Sequence, residues 1–352
     1  MLIMRKGKLI NNYLSIVLYP ISIVYRFLIF IRNQLFTNNL LNKKLLPCKV
    51  ISVGNISVGG SGKTPMVEYL SRHFQKKGNN VGIISRGYKR KSKETLIVTD
   101  GKIKPDSWEK FGDEPYFLAH NLNNIPIIVS QSKYKAGMLL VNNFNTEIII
   151  LDDGFQHRSL HRDLDIVLIN SKEKYENHKL LPIGQLREPF YNINRSDLII
   201  FTKSNLYKPN TYLINKIEKM KLSYIFSKII YDDNMITISG EKIKTNIING
   251  ENIYIISALG DSKGFEKTIK KTGAIIKGHK KFPDHHSYNK KDIQKVKKNA
   301  IESNAKFLIT TEKDLVKIKN YNGEIPLCAL KIRFVVEQKK ELESYLNKIN
   351  KK

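Results

Sequence analysis

Acidic residues are in short supply. The 352-residue chain carries 60 Lys and Arg against 32 Asp and Glu, a formal net charge of +28. An excess of that size suits an anionic membrane, a phosphorylated substrate or a nucleic acid. No RNA- or DNA-binding motif and no basic–aromatic stacking pattern accompanies it, so a nucleic-acid partner is not expected. The lysines also run through ordinary surface stretches such as Asn289–Ala305, and a composition rich in Ile, Lys and Asn is enough to account for part of the charge. Cysteine is nearly absent. Cys48 and Cys328 are far apart and in unrelated contexts, which excludes a disulfide framework or a Cys-based metal site and fits a reducing compartment. Internal repeats are absent too. With 41% hydrophobic and 26% charged residues the chain reads as globular, long enough for one large or two medium domains.

Long apolar runs are missing everywhere except near the start. Tyr13 to Ile31 reads YLSIVLYPISIVYRFLIFI, 19 residues, close to the length that crosses a bilayer. Pro20 and Arg26 interrupt it. A charge at the bilayer centre costs roughly 2.5–3.5 kcal/mol, which argues against a clean span. No small-residue cleavage site follows, which argues against a cleaved signal peptide. Arg5, Lys6, Lys8, Arg32, Lys43 and Lys44 flank the segment, and Tyr13, Tyr19 and Tyr25 suit a membrane interface. A buried core helix is the alternative. The reading adopted is that residues 1–40 form a membrane-associated helix lying in or dipping into the cytoplasmic leaflet.

Beyond a basic link at Asn42–Pro47, short apolar runs alternate with helical stretches. Strands are predicted at Val50–Val53, Val81–Ser85, Ile125–Val129, Ile148–Leu151, Ile166–Ile169 and Leu198–Thr202, with helices from about Pro65 to Lys77 and near Glu114–Asn121 and Tyr134–Asn143. Continuously apolar strands linked by helices are the pattern of a buried parallel sheet. Residues 224–248 differ: two short strands, Ile225–Ile230 and Met235–Ser239, are broken by the turn-forming Asp232-Asp233-Asn234 and read as a β connector. A second α/β set follows, with strands at Ile253–Ser257, Ala274–Ile276 and Phe307–Thr310 and helices after Gly260, near Asn289–Ala305 and over Gln338–Lys351. The expected fold is α/β. A P-loop NTPase-like parallel-sheet domain (41–223) and a smaller C-terminal α/β domain (249–352) are joined by the connector and preceded by the membrane-associated helix.

The chemistry starts at Gly54–Thr64, GNISVGGSGKT, between a strand and a helix. Backbone N–H groups of such a loop point at phosphate oxygens, and the helix N-terminus reinforces them. The expected cradle is Ser57, Val58, Gly59, Gly60, Ser61, Gly62, Lys63 and Thr64, with Lys63 on the β- and γ-phosphates and Thr64 on Mg²⁺. Ser57 stands where the usual pattern has glycine. Val58 stands where partner-switching dimeric ATPases carry a lysine, which argues against that class. The apolar run Ile148–Leu151 ends in Asp152 and Asp153, where P-loop proteins place a Mg²⁺ carboxylate; Asp-Asp-Gly is also good turn chemistry.

GNISVGGSGKTP, SRGY at 85–88, GDEP at 112–115, LDDGFQHR at 151–158, LPIGQLREP at 181–189, FPDHHSY at 282–288 and TTEKD at 310–314 follow one another in this order. In content and order they resemble the tetraacyldisaccharide 4'-kinases, from about residue 10 to the C-terminus. The resemblance implies ATP as donor, Mg²⁺ as cofactor, and an acylated glucosamine disaccharide 1-phosphate as lipid acceptor. It also implies a cleft between two α/β domains as active site. Lys63 and Thr64 would be nucleotide and metal residues, Asp152 and Asp153 the acidic pair near Mg²⁺, and Arg187 an arginine near the phosphates. Asp113 would be the general base, although it is also placed to cap the helix near Pro115. His285 would steady it, with neighbouring His286 open for the same part. Ser57 also occurs at this position in the family. The expected protein is a monomer on the cytoplasmic face of a bacterial inner membrane, making lipid IVA for lipid A. The alternative is a membrane-associated regulatory P-loop NTPase.

Overall fold

Several strands of this chain are apolar along their whole length, and such a strand has to be covered on both faces. The computed structural model describes residues 2–88, 90, 92–318 and 321–350, with side chains from Val17 onward apart from Asn177 and Asn350. The side chains of Arg5, Lys6, Lys8 and Tyr13, and the helix end expected at Lys351, therefore lie outside the described residues.

The first half runs α1 (Leu2–Thr37), β1 (Lys49–Gly54), α2 (Lys63–Lys76), β2 (Val81–Ser85), β3 (Leu96–Thr99), α3 (Trp108–Phe111), α4 (Asp113–Asn121), β4 (Ile127–Val129), α5 (Lys133–Phe144), β5 (Ile148–Asp152), β6 (Leu164–Asn170), β7 (Leu198–Thr202) and α6 (Thr211–Lys219). The second half runs β8 (Tyr224–Thr237), β9 (Lys242–Lys244), β10 (Asn252–Ser257), α7 (Ser262–Lys270), β11 (Ile275–Lys281), α8 (Lys290–Glu302), β12 (Phe307–Thr311), α9 (Glu312–Leu315), β13 (Leu327–Val336) and α10 (Lys339–Asn350).

All the strands join one sheet, ordered β11-β10-β12-β13-β8-β7-β6-β1-β5-β2-β4-β3, with β9 beside β8. Pairing is parallel except for β13 with β8, β3 with β4 and β8 with β9. In β1, Ile51 and Val53 pack with Met66, Val67, Leu70 and Phe74 of α2, while Val50 faces the opposite layer with Leu140 of α5. Each such fully buried aliphatic side chain contributes about 1.5–3 kcal/mol. The last helix returns to the first-half core: Leu342, Leu346 and Ile349 of α10 join the same cluster as α2, beside Phe334 and Val336 of β13.

One expectation needs correction, and other features go beyond the sequence reading. The two short strands of the connector are one 14-residue strand, β8, running through Asp232-Asp233-Asn234. Its long antiparallel partner β13 supplies a ladder with a register shift between Leu330 and Ile332, and that pairing overrides the local turn preference. β13 itself, and the edge strand β3, were not expected. The N-terminal helix is 36 residues long, and Pro20 sits inside it. Among the described residues no helix is long and apolar enough to cross a membrane.

The parallel strands bring chemistry to one edge. Gly54, Ser85, Asp152 and Thr202 stand at the carboxyl ends of β1, β2, β5 and β7, and Ser257 and Thr311 at those of β10 and β12. Ligands of open α/β sheets bind at that edge.

Candidate active site

The loop after β1 is held in shape from several sides. A Cβ at Gly54 would lie 2.5 Å from Phe155 Cβ, so only glycine fits that strand end. Val58 N donates to Gln185 O at 2.8 Å. Gly60 O accepts from Asn170 Nδ2 at 3.0 Å and from Lys203 Nζ at 3.3 Å, and Ser61 O accepts from Thr202 Oγ1 at 2.8 Å. Gly59 (φ 123°) and Gly62 (φ 87°) occupy the left-handed region that glycine alone enters at no steric cost. Val58 to Thr64 line a cavity of about 1460 Å³. Ser57 stands behind the loop, its hydroxyl donating to Glu173 Oε2 at 2.8 Å. The fit of serine at this position is therefore to Glu173 rather than to the cavity.

The acidic strand end faces the same cavity. Lys63 Nζ lies 3.3 Å from Asn55 Oδ1 and 3.5 Å from Asp153 Oδ1. Arg187 Nη1 donates to both oxygens of Asp153, at 2.9 and 2.8 Å. Burial opposes ionisation of Asp153, but Lys63 and Arg187 outweigh it and hold the carboxyl below its ordinary range. Asp153 does so with φ 58°, a left-handed conformation uncommon outside glycine. Asp152 differs. It is 1% exposed, Ser85 Oγ donates to its Oδ2 at 3.0 Å, and its Oδ1 has no hydrogen-bond partner among the described residues. Burial, with Glu114 and Asp153 nearby, pushes Asp152 up to about 7. The remaining oxygen of this buried carboxylate is one that a bound Mg²⁺ would satisfy. Among the described residues no group of three or more His, Cys, Asp or Glu holds a metal unaided.

The second half contributes the next pair. His285, in the loop after β11, has Nδ1 at 2.8 and 3.0 Å from the carboxylate oxygens of Asp113, the first residue of α4. His286 instead pairs with Asp292 at 2.8 Å, so the geometry selects His285 of the two. Lys313 Nζ and Lys317 Nζ lie 3.6 and 3.8 Å from Asp113 Oδ2. Burial works to raise the Asp113 carboxyl, but the His285 hydrogen bond and the two ammonium groups pull it well below the usual carboxylate range. His285 (φ 60°) is also left-handed, and Tyr88 packs against its ring at 5.1 Å. His285 lines both the large cavity and a smaller one of about 420 Å³ that Asp113 borders.

Helix α1 reaches this site. Tyr25 Oη donates to Arg187 O at 2.7 Å, and Tyr25, Ile29 and Arg32 line the cavity. Beside Arg187, the fully buried Glu188 accepts from Arg195 at 3.0 Å on both oxygens, from Gln156, from Asn192 and from Asn33 of α1. Arg158 donates to Asn33 O and Thr37 Oγ1, so it clamps α1 rather than the cavity.

Sequence reasoning missed Glu114, Lys313 and Lys133 among the charged residues of the cavity; a fourth, Glu312, follows an apolar strand, where it could border a ligand or cap the next helix. Glu114 and Lys313 pair at 3.3 Å inside the cavity. Lys133, at the start of α5, is 4% exposed with no hydrogen-bond partner for Nζ among the described residues, and burial pushes its ammonium down to about 8. Glu312 is 8% exposed, with no hydrogen-bond partner for Oε1 among the described residues. GDEP and TTEKD contain the first, second and fourth, and their position at strand ends was the available signal; nothing in the sequence singles out Lys133.

Comparison with known proteins shows the family. The family model described as tetraacyldisaccharide-1-P 4'-kinase matches residues 14–351. A tetraacyldisaccharide 4'-kinase of Aquifex aeolicus is 38% identical over 333 residues, covering 94% of this chain and 98% of that one. One from Syntrophus aciditrophicus is 34% identical over 341 residues, covering 94% and 91%. The crystal structure of Aquifex aeolicus LpxK in complex with ATP superposes with a TM-score of 0.77 at 36% identity, covering 96% of this chain and 99% of that one. The chain belongs to the tetraacyldisaccharide 4'-kinase family.

Proposed function

We propose that this protein transfers the γ-phosphate of ATP to the 4'-hydroxyl of a tetraacylated glucosamine disaccharide 1-phosphate, forming lipid IVA in lipid A biosynthesis. The observation that carries the reading is a single cavity bordered by the phosphate loop, by Asp152, Asp153 and Arg187, by His285 and by α1. A kinase acting on a lipid-linked sugar needs a nucleotide cradle, a base and a route to the membrane close together, and the base, Asp113, borders the adjoining smaller cavity with His285 common to both.

Phosphoryl transfer is mostly positioning and charge neutralisation. The amides of residues 58–64 would hold the phosphate chain, and Lys63 would sit on its β- and γ-oxygens. Arg187, already 2.8 Å from Asp153, would swing or share its fork toward the γ-phosphate. Thr64, Asp152 and Asp153 would hold Mg²⁺, which when bound neutralises phosphate charge. A sugar hydroxyl is a weak nucleophile, so a carboxylate must take its proton. Asp113 has that part, with His285 fixing its orientation and able to pass the proton on. Residues 41–223 and 249–352 would act as two α/β units facing each other across the cleft, with 224–248 between them.

The helix supports a membrane-side reading. Val17, Tyr19, Val24, Phe27 and Leu28 of α1 are each 58–68% exposed, an apolar face larger than solvent-facing helices carry. The protein would work as a monomer on the cytoplasmic face of the inner membrane, with the acyl chains entering beside α1. The deciding experiment is transfer of γ-³²P from ATP to the acylated disaccharide 1-phosphate in detergent micelles. Labelled lipid is the expected result. Nucleotide hydrolysis without labelled lipid, stimulated by a protein partner, would sink the kinase reading in favour of a regulatory NTPase.

A further inference from the structure

Lys313 occupies a position that the phosphate loop and the Asp113–His285 pair do not explain. Its ammonium lies 3.3 Å from Glu114 Oε1 and 3.6 Å from Asp113 Oδ2. Its side chain borders the same cavity as residues 58–64. Glu114 and Lys63 of the phosphate loop border that cavity too. The short turn that carries Lys313 is built to hold it still. Asp314, fully buried, accepts from Ala258 N at 2.9 Å and from Thr311 Oγ1 at 3.0 Å, and pairs with buried Lys317 at 3.0 Å. Burial opposes the charge on Lys313, but Glu114, Asp113 and Asp284 outweigh it and keep it protonated.

We infer that Lys313 is a catalytic cation: when nucleotide fills the cradle, its ammonium passes from the Asp113–Glu114 pair to the γ-phosphoryl group in transfer. The inference rests on the kinase reading above. In the step, the bond from the acceptor oxygen to the γ-phosphorus forms as the bond from that phosphorus to the β,γ-bridging oxygen breaks. The hydroxyl proton goes to Asp113, ADP leaves with the bonding pair, and Lys313 keeps its proton throughout. Charge on the equatorial oxygens is thus met by a donor whose backbone turn is fixed and whose ammonium alone has to change partner. Release of Lys313 also leaves Asp113 with one less cation beside it at the moment it must accept a proton.

The test compares the parent with Lys313→Ala, Lys313→Met and Lys313→Arg, with Lys298→Ala of the exposed face of α8 as control. Lipid phosphorylation is measured over a range of ATP, and binding of ADP with and without aluminium fluoride is measured in the presence of Mg²⁺. The expected result is a kcat about 10²–10³-fold lower in the Ala and Met variants with KM for ATP within a few-fold of the parent. ADP should bind normally, the tightening by aluminium fluoride should be lost, and Lys313→Arg should recover part of both. Thermal melting of each variant separates this from misfolding. Active parent with a kcat loss under tenfold in Lys313→Ala, or with the loss confined to KM, would overturn the role given to Lys313 alone. A parent that labels no lipid would overturn the kinase reading and the inference with it.

Discussion

His285 Nδ1 lies 2.8 Å from Asp113 Oδ2 although 172 residues separate them in the chain. One residue belongs to the half that carries the phosphate loop and the other to the second half, so the contact ties catalytic competence to how the halves meet. Asp113→Asn should lower kcat by at least 10²-fold, the usual worth of a positioned base. His285→Ala should cost less, since the carboxylate survives while its orientation loosens. Initial rates at saturating ATP and lipid check both. An Asp113→Asn variant with more than a tenth of the parental kcat would contradict the role.

The same carboxyl makes a pH prediction. Asp113 is held below its ordinary 3.8 in the folded chain, so its contribution to stability is present in full above that value and is lost as pH falls through the lowered one. No acid limb belonging to Asp113 should appear in the rate profile between pH 6 and 8. In urea titrations below about pH 4, the gap in stability between the parent and Asp113→Asn should narrow. A gap that stays constant down to pH 3 would remove the linkage.

Much of this site was legible because phosphate chemistry is local. A glycine-rich loop between strand and helix, and carboxylates at an apolar strand end, are short motifs whose geometry is fixed by neighbours in sequence. Lys63, Thr64, Asp152 and Asp153 could be placed for that reason. Strands β2 and β7 have the bounds expected of them, Val81–Ser85 and Leu198–Thr202, since both are wholly apolar and end in polar residues. The long-range parts were not legible from the residues themselves. β13 pairs with β12 on one side and β8 on the other, and no local pattern reveals two partners. Lys133 is a lysine at a helix start like many others until the fold buries it. Asp113 and His285 came together on the sequence only through the family resemblance.

Glu312 should respond to pH in the opposite sense to Asp113. Burial pushes its carboxyl from 4.5 up to about 7, with the acidic Glu68 and Asp232 adding to the shift. A raised carboxyl costs stability once the solution is basic enough to ionise it in the unfolded chain. The cost grows from about pH 4.5 and is complete above about 7. Glu312→Gln should therefore stabilise the protein at pH 8 and lose that advantage by pH 4.5. Melting temperatures at the two values decide it, and equal shifts at both would show that the effect is packing and not charge.

Glu188 has a larger structural stake. It is fully buried, and Arg195, Gln156, Asn192 and Asn33 all direct donors at it. Replacing it by Ala leaves the partly buried Arg195 charge and three amides without their acceptor. Breaking such a buried pair costs about 3–5 kcal/mol. The loss should also free α1, since Asn33 is one of the tethers, and Arg187 is the adjacent residue. Chemical denaturation should show the stability loss, and limited proteolysis should cut first near residues 37–45. An unchanged unfolding midpoint would show that water replaces Glu188 without penalty.

The exposed face of α1 makes the last prediction. Val24 and Phe27 are 58% and 61% exposed, whereas Ile29 and Phe36 on the other side are 8% exposed and Asn33 reaches Glu188. One side of the helix is therefore committed to the protein and the other to something apolar. Burial of that face in a bilayer surface is worth about 25 cal/mol for each Å² removed from water. Val24→Glu with Phe27→Glu should then reduce co-sedimentation with anionic lipid vesicles by more than tenfold while leaving the melting temperature near that of the parent. The double variant should also retain its turnover on a short-chain acceptor dispersed as monomers and lose it on the same sugar presented in vesicles. Equal loss on both substrates would mean that the face shapes the cavity through Tyr25 and Ile29 and does not serve the membrane.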